Sequence, residues 1–188
     1  MELRTYKVFK FEELDEATKQ KAIDKWYEAE DYPFLEEDIR AELEHLDTFK
    51  LFSDVRLQYS LSYCQGDGLS FSAQIDLEAY LKSKKWKEKS IKKLTDEVYK
   101  FYSKGNQGRY SYASKSDIEY ETQGNVIHER IEAKLDVLKD EIAEYYLNIC
   151  RKLEKYGYSI LEYRMDFKEF AEHCEANGYM FTENGQID

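Results

Sequence analysis

The chain has 188 residues, 39 acidic against 28 basic, and a net charge of −11, a balance that works against direct binding to nucleic acid or to anionic membranes. With 42% apolar residues, 17 tyrosines, 10 phenylalanines and one proline it does not have the composition of a disordered chain. No apolar run reaches the ~18 residues of a membrane span.

The length predicts a single domain over 1–188, large enough to bury a core. Three widely spaced cysteines, Cys64, Cys150 and Cys174, form no C-x-x-C, which predicts reduced thiols. The opening M-E-L-R-T-Y-K-V-F has no signal-peptide apolar core, so the expected location is cytoplasmic. Charge is uneven: −7 over residues 1–50, +6 over 81–104 and −6 over 117–144. Such asymmetry marks either an interaction surface or solvated helix faces.

Leu3 to Phe11 alternates weakly and reads as an edge strand or an extended lead-in. Asp15 is placed to cap a helix running to about Glu30, with Ala22, Ile23, Trp26 and Tyr27 on one face. Tyr32-Pro33 breaks it. Leu35, Ile39, Leu43 and Leu46 then predict a helix over 34–47.

Ser53 to Leu77 is the centre of the chain. Val55, Leu57, Tyr59, Leu61 and Tyr63 alternate with polar residues, and so do Leu69, Phe71, Ala73, Ile75 and Leu77. A period of 2 on both arms, with Gln65-Gly66-Asp67-Gly68 between them, predicts a β-hairpin with one buried face. Leu77 to Lys104 reads as helix, with a break near Ser83 and a stripe of Ile91, Leu94, Val98 and Tyr102. Gly105 to Gly108 is a loop. Arg109 to Thr122 alternates again and predicts one or two strands, with Tyr110, Tyr112, Ile118 and Tyr120 as candidates for one face.

From Ile127 to Tyr156 apolar residues recur every three or four positions, predicting a helix over 127–156 that Gly157 ends. Ser159 to Met165 is ambiguous between strand and helix. Asp166 caps a short helix to about Ala176, Asn177-Gly178 stops it, and Asn184-Gly185 turns a terminal hairpin. The expected fold is therefore α+β: an antiparallel sheet built on the 53–77 hairpin, packed against the 127–156 helix, with flanking helices. The same stripe suits a coiled-coil seam, which leaves a homodimer open.

Candidate sites follow from the residue types. The Gln65–Gly68 backbone suits a small anion nest, with Asp67 as acid, base or metal ligand; the plainer reading is a turn in which Asp67 accepts local amide hydrogen bonds. No G-K-[ST] follows, so it is not a P-loop. Asp117, Glu119 and Glu121 alternate in a predicted strand and so share a face, where with Asp67 they offer oxygen ligands to Mg²⁺ or Ca²⁺. Their plainer reading is the solvated face of a sheet. His45, His128 and His173 are scattered and form no zinc motif. No catalytic motif is present, so neither an enzymatic role, a metal nor a cofactor is expected. Tyr63, Tyr110 and Tyr112, with Gln65 and Asp67, are the candidate lining of a small-ligand pocket. Glu28, Glu30, Asp31, Glu36, Glu37 and Asp38 form an acidic cluster interleaved with Tyr27 and Tyr32. Spaced carboxylates with aromatics can occupy the basic groove of a nucleic-acid-binding protein.

Four stretches carry a resemblance: F-E-E-L-D-E-A-T-K-Q-K-A-I (11–23), Y-S-L-S-Y-C-Q-G-D-G-L-S-F-S-A (59–73), G-R-Y-S-Y-A-S-K-S-D-I-E-Y-E (108–121) and C-E-A-N-G-Y-M-F-T-E-N-G (174–185). With them the chain resembles a family of uncharacterised proteins encoded by tailed phages and prophages of Gram-positive bacteria, some labelled antitoxins. Where family members often carry His and Cys in the third stretch, this chain has Tyr, Ala and Ser, which removes a metal or thiol role there. The resemblance implies a phage setting and action in the host cytoplasm. The resulting expectation is a non-enzymatic inhibitor that binds a host nucleic-acid-binding protein through Glu28, Glu30, Asp31, Glu36, Glu37, Asp38, Asp117, Glu119 and Glu121, with no direct contact to nucleic acid or membrane. The alternative is a nucleotide-signal binder using Tyr63, Gln65, Asp67, Tyr110 and Tyr112. A third reading is an antitoxin or a metal-dependent hydrolase.

Overall fold

The computed structural model describes residues 7–29, 32–106, 110–124 and 128–188. In chain order these form α1 (Glu16–Ala29), α2 (Leu35–Leu46), β1 (Phe52–Ser60), β2 (Gly68–Ile75), α3 (Leu77–Ser83), α4 (Glu88–Thr95), β3 (Val98–Lys104), β4 (Ile118–Thr122), α5 (Glu129–Arg164) and α6 (Phe167–Asn177). The chain expected as one domain divides into two compact units, Met1–Leu35 with Tyr158–Asp188, and Glu36–Gly157.

The larger unit is an α+β layer. Its sheet has the order β1-β2-β3-β4, and each neighbouring pair is antiparallel. The hairpin register sets Leu57 opposite Phe71 and Tyr59 opposite Leu69. Leu69, Phe71, Ala73 and Ile75 of β2 are all buried, as are Phe101 of β3 and Ile118 of β4. The α5 stripe packs on that face with Leu135, Leu138, Ile142, Tyr146, Ile149 and Leu153 buried. Period-2 apolar residues on a sheet and 3.6-period residues on a helix each leave one face to be kept from water, and here the two faces cover one another. α2 adds Ile39 and Leu43 to the core, and α3 adds Tyr80 and Leu81. Asp76 caps α3, accepting from the Ala79 amide at 2.8 Å.

The smaller unit gathers Phe11, Leu14, Ala22, Ile23, Phe170, Cys174 and Phe181, with Trp26 and Tyr179 partly buried against them. Asp15 caps α1 as expected, accepting from the Thr18 amide at 2.8 Å and its hydroxyl at 3.1 Å. Asp166 caps α6, and Gly178 ends it in the left-handed conformation, φ 68°. The terminal turn is present: Thr182 N–H donates to Gln186 O, and Phe181 pairs with both Ile187 and Phe9. Residues 3–6 of the expected lead-in strand lie outside the described residues.

Three expectations need correction. The helix expected over 77–104 is α3 and α4 followed by a strand, so Val98 and Tyr102 belong to β3. Of the 109–122 stretch only Ile118–Thr122 is strand; Tyr110 and Tyr112 lie in irregular chain before it, and Arg109 is outside the described residues. The long helix does not end at Gly157 but continues to Arg164, taking in most of the ambiguous 159–165 segment. Gly157 is buried within it, and a Cβ there would stand 2.5 Å from Leu61 Cδ1. Its missing side chain lets β1's end pack close to α5. Among the described residues no helix is long and apolar enough to cross a membrane.

Candidate functional site

The hairpin turn is organised by Asp67. Its carboxylate accepts from Ser60 Oγ at 2.8 Å, the Ser62 amide at 2.7 Å and the Cys64 amide at 3.0 Å. Gly66 takes φ +100°, and Tyr63 also lies at positive φ, 56°. One short acidic side chain thus satisfies several donors that a tight reversal leaves without strand partners.

This turn meets the segment before β4. A Cβ on Gly66 would fall 1.9 Å from Tyr110 Cδ1, and one on Gly68 would fall 2.6 Å from Tyr112 Cβ. The glycines are therefore required for close approach as much as for the turn itself. The Tyr110 and Tyr112 rings stack with centroids 5.8 Å apart. Asn106 ties the two segments, its amide donating to Ser70 Oγ at 2.9 Å and its Nδ2 to Tyr112 O at 3.1 Å. The turn carrying Gln65 and Asp67 is thus brought against Tyr110 and Tyr112. Tyr63, on the same loop, is exposed. Burial and then the nearby charge of Asp67 raise the Glu154 carboxyl of α5 above its ordinary value.

The described acidic candidates fall on several different elements. Glu28 is exposed at the end of α1, in the smaller unit. Glu30 and Asp31 lie outside the described residues. Glu36, Glu37 and Asp38 form the first turn of α2 in the larger unit. Glu36 is paired with Arg40 at 2.6 Å, and Arg40 also donates to Val55 O at 3.1 Å. Asp117, expected on a strand face with Glu119 and Glu121, sits instead in a 3-10 turn ahead of β4 and accepts from the Ser114 amide at 2.7 Å. Burial raises its carboxyl more than that hydrogen bond lowers it. Glu119 accepts from the Tyr102 hydroxyl at 3.2 Å and pairs with Lys104, whose hydrogen bond holds its carboxyl below the usual range. Glu121 is exposed. Among the described residues no three His, Cys, Asp or Glu side chains are placed to hold a metal ion.

On the outer face of the sheet the sequence offered Glu119 and Glu121 of β4 as candidates, but no residue of β1, β2 or β3. That face carries an open groove of about 450 Å³ lined by Asp54, Arg56, Ser72, Gln74, Lys100 and Tyr102 among others. Lys100 and Tyr102 were missed because their segment reads as helix. The Val-Tyr-Lys-Phe-Tyr run, rich in β-branched and aromatic residues, is the signal that points to a strand. Compared with protein-family models, curated proteins and solved structures, the chain matches none.

Proposed function

We propose that this chain is a non-enzymatic binding protein, of phage origin, that docks its acidic α2 surface on a basic, nucleic-acid-binding protein of the host cell. The observation that carries the reading is the solvent face of α2. Over Leu35–Leu46 the helix has five carboxylates and one Arg or Lys, and that cation, Arg40, is engaged by Glu36 and by Val55 O. Ile39 and Leu43 anchor the opposite face in the core, so the carboxylates stand on a rigid element. A rigid row of negative charge steers a basic partner and imitates a phosphate backbone. The test is affinity capture from nuclease-treated bacterial lysate at low and moderate salt. Wild type should retain a nucleic-acid-binding protein in a salt-sensitive way, and the Glu36→Gln/Glu37→Gln/Asp38→Asn variant should lose it. Equal capture by the variant would sink the reading.

A second reading, a nucleotide-signal binder, is favoured by the contact of Gly66 and Gly68 with Tyr110 and Tyr112. Mass spectrometry of small molecules released from the purified protein tests it. A nucleotide carried by wild type and lost in Tyr112→Ala supports it, and a nucleotide-free wild type counts against it.

A further inference from the structure

The inner face of the sheet is closed by α5, but the outer face over β1, β2 and β3 holds the groove of about 450 Å³. Its floor is β2, where Ser72 and Gln74 point outward between buried neighbours. The register sets Arg56 opposite Ser72, and Gln74 opposite Tyr102. Strands lie ~4.8 Å apart, so the β3 residue across β2 from Arg56 is Lys104, roughly 10 Å away, while Lys100 lies four residues further along β3, on the order of 13 Å from that row.

The charges in this groove are unusual for the chain. Asp54 is engaged by Gln74, whose Nε2 donates to Asp54 Oδ2 at 2.7 Å. Lys104, beside the groove, is neutralised by Glu119. Lys100 stands opposite Glu121 in the register, yet its ammonium lies 4.7 Å from the centre of the Tyr102 ring. Among the described residues neither Lys100 nor Arg56 has an ion pair. In a protein of net charge −11, two cations without carboxylate partners therefore face one polar groove.

We propose that this groove binds a phosphate ester of nucleotide or sugar-phosphate size. The Arg56 guanidinium offers a planar fork suited to two phosphate oxygens, and Lys100 supplies a second, mobile charge on the far wall. The Ser72 hydroxyl and Gln74 amide present hydrogen-bonding groups to a sugar or base edge. The Tyr102 ring supplies apolar surface. The volume lies within the range of small-molecule sites. The side chains proposed to hold the ligand are not those of the α2 surface or the hairpin turn; α2 reaches the groove only where Arg40 donates to Val55 O on its β1 wall.

The experiment is NMR titration of the full chain with ADP, ribose 5-phosphate, inorganic phosphate and adenosine. ADP or both esters should shift the Ser72, Gln74 and Tyr102 amides, more strongly at low salt, and adenosine should not. Arg56→Gln and Lys100→Gln should each weaken binding about tenfold or more, since each removes a charge-assisted hydrogen bond. Both side chains lie on the solvent face, so circular dichroism should be unchanged in these variants. The α2 triple variant and Tyr112→Ala should bind as wild type does, which separates this site from the two above. Absence of shifts with ADP, adenosine binding as well as ADP, or undiminished binding in either groove variant would overturn the proposal. So would inorganic phosphate binding as tightly as the esters, which would mark an adventitious ion only.

Discussion

At Phe71 a tyrosine hydroxyl takes the place of a strand. The β2–β3 ladder pairs Ser72, Ala73 and Gln74 and goes no further towards Gly68. The Phe71 N–H then donates to Tyr146 Oη at 3.1 Å, and its carbonyl accepts from Tyr146 Oη at 2.9 Å and from Ser103 Oγ at 2.9 Å. Burial raises the Tyr146 phenol far above its ordinary value, so it stays neutral and keeps both roles. Tyr146→Phe leaves the Phe71 amide without a partner and should cost about 1–3 kcal/mol in urea unfolding. Asp15 gives a pH-dependent counterpart. The Thr18 amide and hydroxyl hold its carboxyl below 3.8. A depressed carboxyl contributes stability that is present above the unfolded value and lost as pH falls through the folded one. Asp15→Ala should therefore lower the thermal midpoint at pH 7, and the difference should shrink once pH drops below 3.8; a constant difference would contradict the cap's charged role. The Asp15 cap was legible because N-cap chemistry is local. Tyr146 was legible only as one more member of an apolar stripe, because its hydroxyl partner lies 75 residues away.

Among the elements, the hairpin and α5 were legible for one reason. Each buries a single face, so its period is written into the residues. β3 was not, because Ile91, Leu94, Val98 and Tyr102 are spaced 3, 4 and 4, which continues the α4 stripe on paper. Strand pairing overrides that spacing: Phe101 and Ser103 point inward, while Lys100, Tyr102 and Lys104 are less buried. Gly157 misled in the same way. A glycine at a helix end and a glycine at a close contact look alike in sequence, and only Leu61 decides between them. The turn makes a prediction at this scale. Gly66→Ala meets both a positive φ and the Tyr110 ring. It should cost about 1–2 kcal/mol from the backbone alone. It should also displace the Tyr110 and Tyr112 ring resonances in NMR spectra; unmoved rings would show that the turn does not hold that segment.

For the whole molecule, the two tryptophans report separately, Trp26 in the smaller unit and Trp86 in the larger. α5 gives Leu135 to Leu153 to one core and buried Leu161 to the other unit, within one continuous helix. Because losing either core frays the same helix, Trp26→Phe and Trp86→Phe variants should unfold in urea with coincident midpoints, and two separated transitions would show independent units. The α+β class, the hairpin, the α5 cover, the Asp15 and Asp166 caps and the acidic excess were all legible in the residues themselves. All of these rest on local chemistry or on periodicity within one element. That Asp117 leaves the face of Glu119, that Tyr110 and Tyr112 lie on the hairpin turn, and that Arg56 and Lys100 share a groove emerges only once the chain is folded. These depend on which strands become neighbours, and that choice is made by burial summed over the core rather than by any single stretch of chain.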